Sequence, residues 1–193
     1  MMTDNEFEIL WQGGEVEAQQ DVRELKPFFR IVESLEPKNV IEIGVEKGGT
    51  FRFWIQAVKS NGRVIGVDMQ DALSENVAHH YDIGSFGNKK VVLISGSSQD
   101  RSTIDKVSDG LSGEQADMLF IDACHDYDKV KSDYENYSQF VRSGGIIGFH
   151  DIHMPGPKRL YWEIVSNLNN PQQFCDPEQI QRGACGIGMG YKK

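Results

Sequence analysis

The 193-residue sequence predicts an α/β fold: an open, mostly parallel sheet wound with helices on both faces. Three observations carry that expectation. Short β-branched runs recur along the chain, segments with helical spacing fill the gaps between them, and glycines and acidic residues collect where the runs end. Alternation of this kind builds parallel sheets, because each strand must cross over through a helix before pairing again.

The strand runs are Val40-Ile41-Glu42-Ile43, Val64-Ile65-Gly66-Val67, Val91-Val92-Leu93-Ile94, Met118-Leu119-Phe120-Ile121 and Ile146-Ile147-Gly148-Phe149. Each is apolar nearly throughout, as strands covered on both faces are. Ahead of the first, Val22, Leu25, Phe28, Phe29, Val32 and Leu35 fall at helical spacing, and Phe51, Trp54, Ile55 and Val58 follow it in the same way. Tyr127, Val130, Tyr134, Tyr137 and Val141 predict a helix that stops at Gly144-Gly145. A further short helix is expected over Leu160 to Leu168, and a surface helix carries His79-His80 between the second and third strands. The tail from Gly186 to Tyr191 reads as a last, antiparallel strand. No linker or repeat divides the chain, which predicts one domain: a helical region over 1–36, a ligand-binding core over 37–151 and a C-terminal part over 152–193.

Composition narrows the function classes. Acidic residues number 29 against 20 basic, a formal charge of −9, which argues against a sequence-independent nucleic-acid binder. Ten acids and four bases fall between Asp100 and Glu135, so two-thirds of the excess sits around the fourth strand and its helix. No apolar run approaches about 18 residues, so no membrane span is expected. Asp4, Glu6 and Glu8 stand where a secretory signal would carry positive charge, so a cytoplasmic location is expected. The three cysteines, Cys124, Cys175 and Cys185, form no CxxC pair and suggest neither a disulfide framework nor a zinc site.

Ligands in open α/β sheets bind outside the carboxyl ends of the strands. The first strand runs through Glu42 into Gly44-Val45-Glu46-Lys47-Gly48-Gly49-Thr50, a glycine-rich turn into a helix. Its spacing is neither GxGxxG nor GxxxxGK[ST], so taken alone it also fits a plain tight turn. The second strand ends in Asp68, followed by Met69; an acid there can accept both hydroxyls of a ribose, or simply cap a helix. Together the two features point to an adenosine-bearing ligand. After the third strand, Ser97, Ser98 and Gln99 offer an adenine edge both donors and acceptors, while Ser or Asp100 could also cap the next helix.

The fourth strand delivers Asp122 and the fifth His150-Asp151. Adjacent parallel strands lie about 4.8 Å apart, so Asp122 and Asp151 should approach closely. Such a pair repels unless one acid is protonated or a cation lies between them. Mg²⁺ or another divalent ion suits it; the alternative gives Asp122 to the cofactor and Asp151 to a loop cap. His125, three residues past Asp122, is the candidate proton acceptor, since an ordinary histidine titrates near pH 6.5. A solvated loop histidine is the competing reading.

In this order, these residues resemble class I S-adenosylmethionine-dependent methyltransferases over about Val40 to Asp151. Within that class the likeness is greatest to the small metal-dependent O-methyltransferases, including the cephalosporin hydroxylase and rhamnosyl O-methyltransferase group. The segments that carry it are Phe120-Ile-Asp-Ala-Cys-His-Asp-Tyr127 and Ser143-Gly-Gly-Ile-Ile-Gly-Phe-His-Asp151, with Lys158 to Ile164 and Gly186-Ile-Gly188 beyond them. The resemblance implies a Rossmann-like fold and S-adenosylmethionine bound by Glu42, Gly44, Glu46, Gly48, Gly49, Thr50, Asp68, Met69, Ser97, Ser98, Gln99 and Asp122. It also implies a divalent metal at Asp122, His150 and Asp151, with histidine standing at position 150 where catechol-type enzymes have a carboxylate. Asp122 and His125 become the catalytic candidates, and His125 occupies the position of the lysine base of the catechol-type enzymes.

The implied reaction is methylation of a hydroxyl on a small-molecule acceptor, with no nucleic-acid or membrane partner. Monomer and homodimer both stay open. Two other classes remain: an NAD-linked oxidoreductase, which would want the missing GxGxxG, and a methyltransferase fold kept only for binding. For an acceptor lid the chain has its first 20 or so residues, with Trp11 and Gln12, and the segment 154–182, with Tyr161 and Trp162. The same aromatic residues also fit a core.

Overall fold

The computed structural model describes residues 1–12, 18–69, 87–181 and 186–193. His79, His80 and Cys185 lie outside them. Among the described residues the chain forms helices α1 (Asp4–Gln12), α2 (Val22–Ser34), α3 (Phe51–Ala57), α4 (Arg101–Leu111), α5 (Tyr127–Tyr137), α6 (Pro155–Ile164) and α7 (Pro177–Gln181). The strands are β1 (Asn39–Ile43), β2 (Arg63–Asp68), β3 (Lys90–Ser95), β4 (Ala116–Ile121), β5 (Val141–Phe149), β6 (Leu168–Phe174) and β7 (Ile187–Lys192). They form one sheet in the order β3-β2-β1-β4-β5-β7-β6. The first five strands are mutually parallel, and β7 runs antiparallel to both β5 and β6.

The apolar runs are buried as two-sided strands should be: all five residues of β1 are inaccessible, and β2 is buried from Val64 to Val67. Alternation along each strand then divides the core into two layers. One face packs on α1, α2 and α3 through an aromatic group in which the Phe28, Trp54 and Phe120 rings lie 5.3–5.7 Å apart. The other face packs Ile41, Ile43, Leu119 and Ile147 against α4, α5 and α6. Helix α2 starts where Asp21 caps the Arg23 N–H, and it tolerates Pro27 in its interior. No helix among the described residues is long and apolar enough to cross a membrane.

Two expectations need correcting, and one strand was missed. The helix after β4 ends at Tyr137; a 3₁₀ turn over Ser138–Phe140 follows, and Val141 already begins β5. Gly144 and Gly145 therefore lie inside a strand. A Cβ on Gly145 would fall 2.9 Å from the Asp117 carbonyl oxygen, at the point where the β4–β5 register shifts, so the glycine permits close pairing instead of ending a helix. The helix expected over 160–168 starts five residues earlier, at Pro155, and Leu168 belongs to β6. Strand β6 itself, Leu-Asn-Asn-Pro-Gln-Gln-Phe, went unforeseen. It is the sheet edge, buried only at Leu168, so it needs no apolar run and can hold Pro171 at the irregularity between Asn169 and Gln172.

Candidate functional site

Hydrogen bonding continues one residue past the strand ends and sets the site in register. Gly44 N–H donates to the Val67 carbonyl (2.9 Å), Asp122 N–H to Ile43 (2.7 Å), His150 N–H to Ile121 (3.0 Å) and Gly96 N–H to Asp68 (2.8 Å). The residues named from the sequence are thereby aligned along one sheet edge, over a cavity of about 670 Å³. That volume falls within the range of small-molecule and cofactor sites.

On the β1–β2–β3 side the cavity is built from backbone. Gly44 has φ +92°, and a Cβ there would lie 2.2 Å from the Asp122 carbonyl oxygen, so only glycine fits. Glu46 also takes a left-handed conformation, at φ +47°. Asp68 holds this loop: its Oδ2 accepts from the N–H groups of Val45 (2.7 Å) and Glu46 (2.6 Å), and its Oδ1 from Met69 (2.6 Å). Three of about four lone-pair positions are used, so a ribose would share Asp68 with the loop.

Gln99 donates to Asp133 Oδ1 (2.7 Å) and to Ser98 Oγ (2.6 Å), while Tyr137 O–H donates to the Ser98 carbonyl (2.8 Å). Asp133 is fully inaccessible. Burial pushes its carboxyl pKa up against the hydrogen bonds from Ser98 and Gln99. Helix α5 thus fixes the segment expected at the adenine.

The β4–β5 side is built from side chains. His150 Nδ1 lies 3.0 Å from Asp122 Oδ1 and 3.3 Å from Asp151 Oδ1, and its Nε2 lies 3.7 Å from Glu24 Oε2. Burial opposes a charge on this ring most strongly. The Asp122 charge, the hydrogen bond to Asp122 and the nearby carboxylates of Asp151 and Glu24 overcome it and hold the His150 pKa well above the ordinary histidine value. Asp151, in the left-handed region at φ +60°, gives its second oxygen to His125 Nε2. One ligand atom from each of Asp122, His150 and Asp151 lies within 4.8 Å of the others, so the expected close approach is met with the imidazole drawn in beside the two acids. A nitrogen and two carboxylate oxygens converging in this way fit a divalent cation.

All but two of the predicted site residues line the cavity: Gly44, Glu46, Gly49, Thr50, Asp68, Met69, Ser97, Ser98, Gln99, Asp122, His125, His150 and Asp151. Gly48 shapes the turn at φ +83° without lining it. Glu42 lies beneath the floor, 1% exposed, with Oε2 unpaired. Burial, reinforced by the charges of Asp122 and Asp68 and opposed by the Trp54 indole, raises its pKa well above the ordinary carboxyl value.

The sequence reading missed Gln19 and Gln20, which form a wall of the cavity against the glycine turn, Gln19 donating to the Glu46 carboxylate. Gln20 bridges the two halves: its amide nitrogen donates to Asp122, and its carbonyl oxygen accepts from the Thr50 hydroxyl. Asp133 and Glu24 were missed as well. Nothing local marks these four, since glutamine in a connection and acids on helices are common everywhere. The lid aromatics divide: Tyr161 is core, Trp11 donates to the Gln20 carbonyl at 3.4 Å from behind the wall, and Trp162 is 57% exposed and does not line the cavity.

A model of the methyltransferase-domain family matches residues 41–152, more than half of the chain. The chain belongs to this family. The matched stretch runs from β1 past the end of β5, so it takes in both halves of the cavity. An uncharacterized protein of Acanthamoeba polyphaga mimivirus, R132, is 27% identical over 169 residues, covering 76% of this chain and 72% of its own length. Among solved structures, the O-methyltransferase from Bacillus cereus in complex with SAH superposes at a TM-score of 0.72 with 18% identity, covering 100% of this chain and 93% of that one. TomG, the O-methyltransferase from Streptomyces achromogenes involved in tomaymycin synthesis, in complex with SAM, gives 0.64 with 14% identity over 88% and 79%. At these identities the structural likeness is one of fold, and it places this methyltransferase domain on the mostly parallel, Rossmann-like sheet expected from its sequence.

Proposed function

We propose that the protein transfers the methyl group of S-adenosylmethionine to a hydroxyl oxygen of a small-molecule acceptor. The observation that carries this reading is the single cavity in which the glycine turn, Asp68 and Ser97–Gln99 face Asp122, His125 and Asp151. S-adenosylmethionine supplies an electrophilic methyl group on a sulfonium; the protein supplies placement and a proton acceptor. The glycine turn admits the cofactor close to backbone, Asp68 takes the ribose hydroxyls, and Ser98 and Gln99, held by Tyr137 and Asp133, take the adenine.

A carboxylate only accepts, so the Asp151–His125 contact puts a proton on His125 Nε2 and leaves the Nδ1 lone pair to take the acceptor's hydroxyl proton. The acceptor oxygen, once deprotonated, attacks the methyl carbon, the S–CH₃ bond breaks, and the electron pair stays on sulfur. Asp122, His150 and Asp151 would hold a divalent ion, whose contribution is to stabilise the deprotonated oxygen of the acceptor. Positioning of acceptor and donor supplies much of the remaining acceleration.

Calorimetric titration tests the cofactor part. Micromolar binding of S-adenosylmethionine with no response to NAD⁺ is expected; the reverse result would overturn the reading.

A further inference from the structure

We propose that Glu24 and His150 make the Asp122–His150–Asp151 cluster a site for a first-row transition ion such as Co²⁺, in preference to Mg²⁺. The inference rests on the divalent-ion part of the function above and deepens it.

Two observations carry it. The first is the donor set. Mg²⁺ takes oxygen ligands in near-ideal octahedra and dehydrates reluctantly, whereas an imidazole nitrogen suits later first-row ions. At this site Nδ1 of His150 stands 3.0 Å and 3.3 Å from the two aspartate oxygens, and one ligand atom of each residue lies within 4.8 Å of the others. Any ion held by both aspartates at this position therefore meets a nitrogen as well.

The second is Glu24, which reaches the site from α2 and is distant from it in sequence. It is 1% exposed, and Oε1 has no hydrogen-bond partner among the described residues. Its other oxygen faces Nε2 of His150 at 3.7 Å, ion-pair range and slightly beyond a hydrogen bond. A buried carboxylate with an orphaned oxygen is costly, so its placement behind the ring calls for a reason. Metal-bound histidines nearly always direct the nitrogen that does not bind metal at a carboxylate or carbonyl, which fixes the ring and strengthens it as a ligand. Glu24 stands in that relation to His150. It acts through the histidine and is a positioning residue.

The experiment uses the full chain stripped of metal by chelator. Co²⁺ and Mg²⁺ are titrated calorimetrically, and the visible absorption of Co²⁺ reports its ligands directly. The wild type should bind Co²⁺ at least about tenfold more tightly than Mg²⁺. Glu24→Gln should weaken Co²⁺ by about 10–100-fold and shift its visible band, with S-adenosylmethionine affinity unchanged. His150→Asn, which offers an amide oxygen in place of the imidazole, should collapse the Co²⁺/Mg²⁺ preference, and it tests the donor set even if the Glu24 variant does not fold. Equal binding of the two ions by the wild type, or a Co²⁺ band unmoved in either variant, would overturn the proposal while leaving a divalent ion in the function. Retained S-adenosylmethionine binding with no ion bound would overturn the proposal and the ion's role together, leaving the cofactor reading standing. Loss of cofactor binding in the wild type would count against that reading alone.

Discussion

The two halves of the cavity are made from different materials. On the β1–β2–β3 side, the shape comes from main chain: Gly44 and Glu46 in left-handed conformations, and a loop tied by its own N–H groups to Asp68. On the β4–β5 side, the shape comes from side chains that meet across strands and from a helix far off in sequence, in the Asp122–His150–Asp151 cluster with His125 and Glu24 around it. The first half suits a ligand bound the same way every time, because backbone cannot be exchanged by point substitution. The second suits chemistry and selectivity, because single side chains set charge, proton position and ligand type.

Substitutions at four positions, with a fifth as a control, break or sharpen this contrast. The largest effect is expected from His125→Ala. Loss of a general base should lower kcat by about 10²–10⁴-fold, while calorimetry should find S-adenosylmethionine affinity unchanged, because the backbone-built half is left intact. A parallel fall in cofactor affinity would show the halves to be inseparable.

Gly44→Ala tests the seam between them. Its Cβ would collide with the Asp122 carbonyl at a backbone angle that disfavours L side chains. Overpacking and strain each cost about 1–3 kcal/mol, so urea denaturation should show a loss of about 2–6 kcal/mol, summed from those ranges. Gly87→Ala is the control: φ is +68° but no atom of a described residue lies within 4 Å of the added methyl. Strain alone should cost it about 1 kcal/mol.

Asp68→Asn keeps the size of the side chain, removes the charge and turns one of the two acceptors facing the loop N–H groups into a donor. Charge-assisted hydrogen bonds are worth about 1.5–3 kcal/mol each, and the loop already uses part of this carboxylate. Cofactor affinity should fall by about tenfold or more, with the Co²⁺ spectrum unaltered.

The smallest effect belongs to Glu42, under the floor of both halves. Its pKa in the folded protein lies above the ordinary value of about 4.5, through burial first and the charges of Asp122 and Asp68 second. Between those two values the native state keeps a proton that the unfolded chain has released, so stability falls as pH rises through that window. Melting temperatures of the wild type should decline there, and Glu42→Gln, neutral throughout, should decline less. Equal slopes would show that Glu42 ionises freely in the folded protein.

Legibility followed the same division. The five parallel strands were visible because two-sided burial demands near-continuous apolar runs, and the glycine turn and Asp68 because close backbone approach and ribose binding restrict residue type. Strand β6 was invisible because an edge strand is exempt from that demand. Gly144-Gly145 misled because a glycine pair marks a helix end and a tight strand approach equally well; only the Asp117 carbonyl lying against Gly145 distinguishes them.

The chain by itself determined which residues stand at the strand ends, since a fixed period of two and a fixed winding leave little choice once the apolar runs are placed. Tertiary structure alone decided who meets whom there. Gln20 spans the cavity to Asp122 and Thr50, Asp133 holds Gln99, and Glu24 comes up behind His150. Those contacts join residues between 30 and 126 positions apart, where spacing carries no signal, and they exist because packing α2 and α5 onto opposite faces of one sheet brings both to its carboxyl edge.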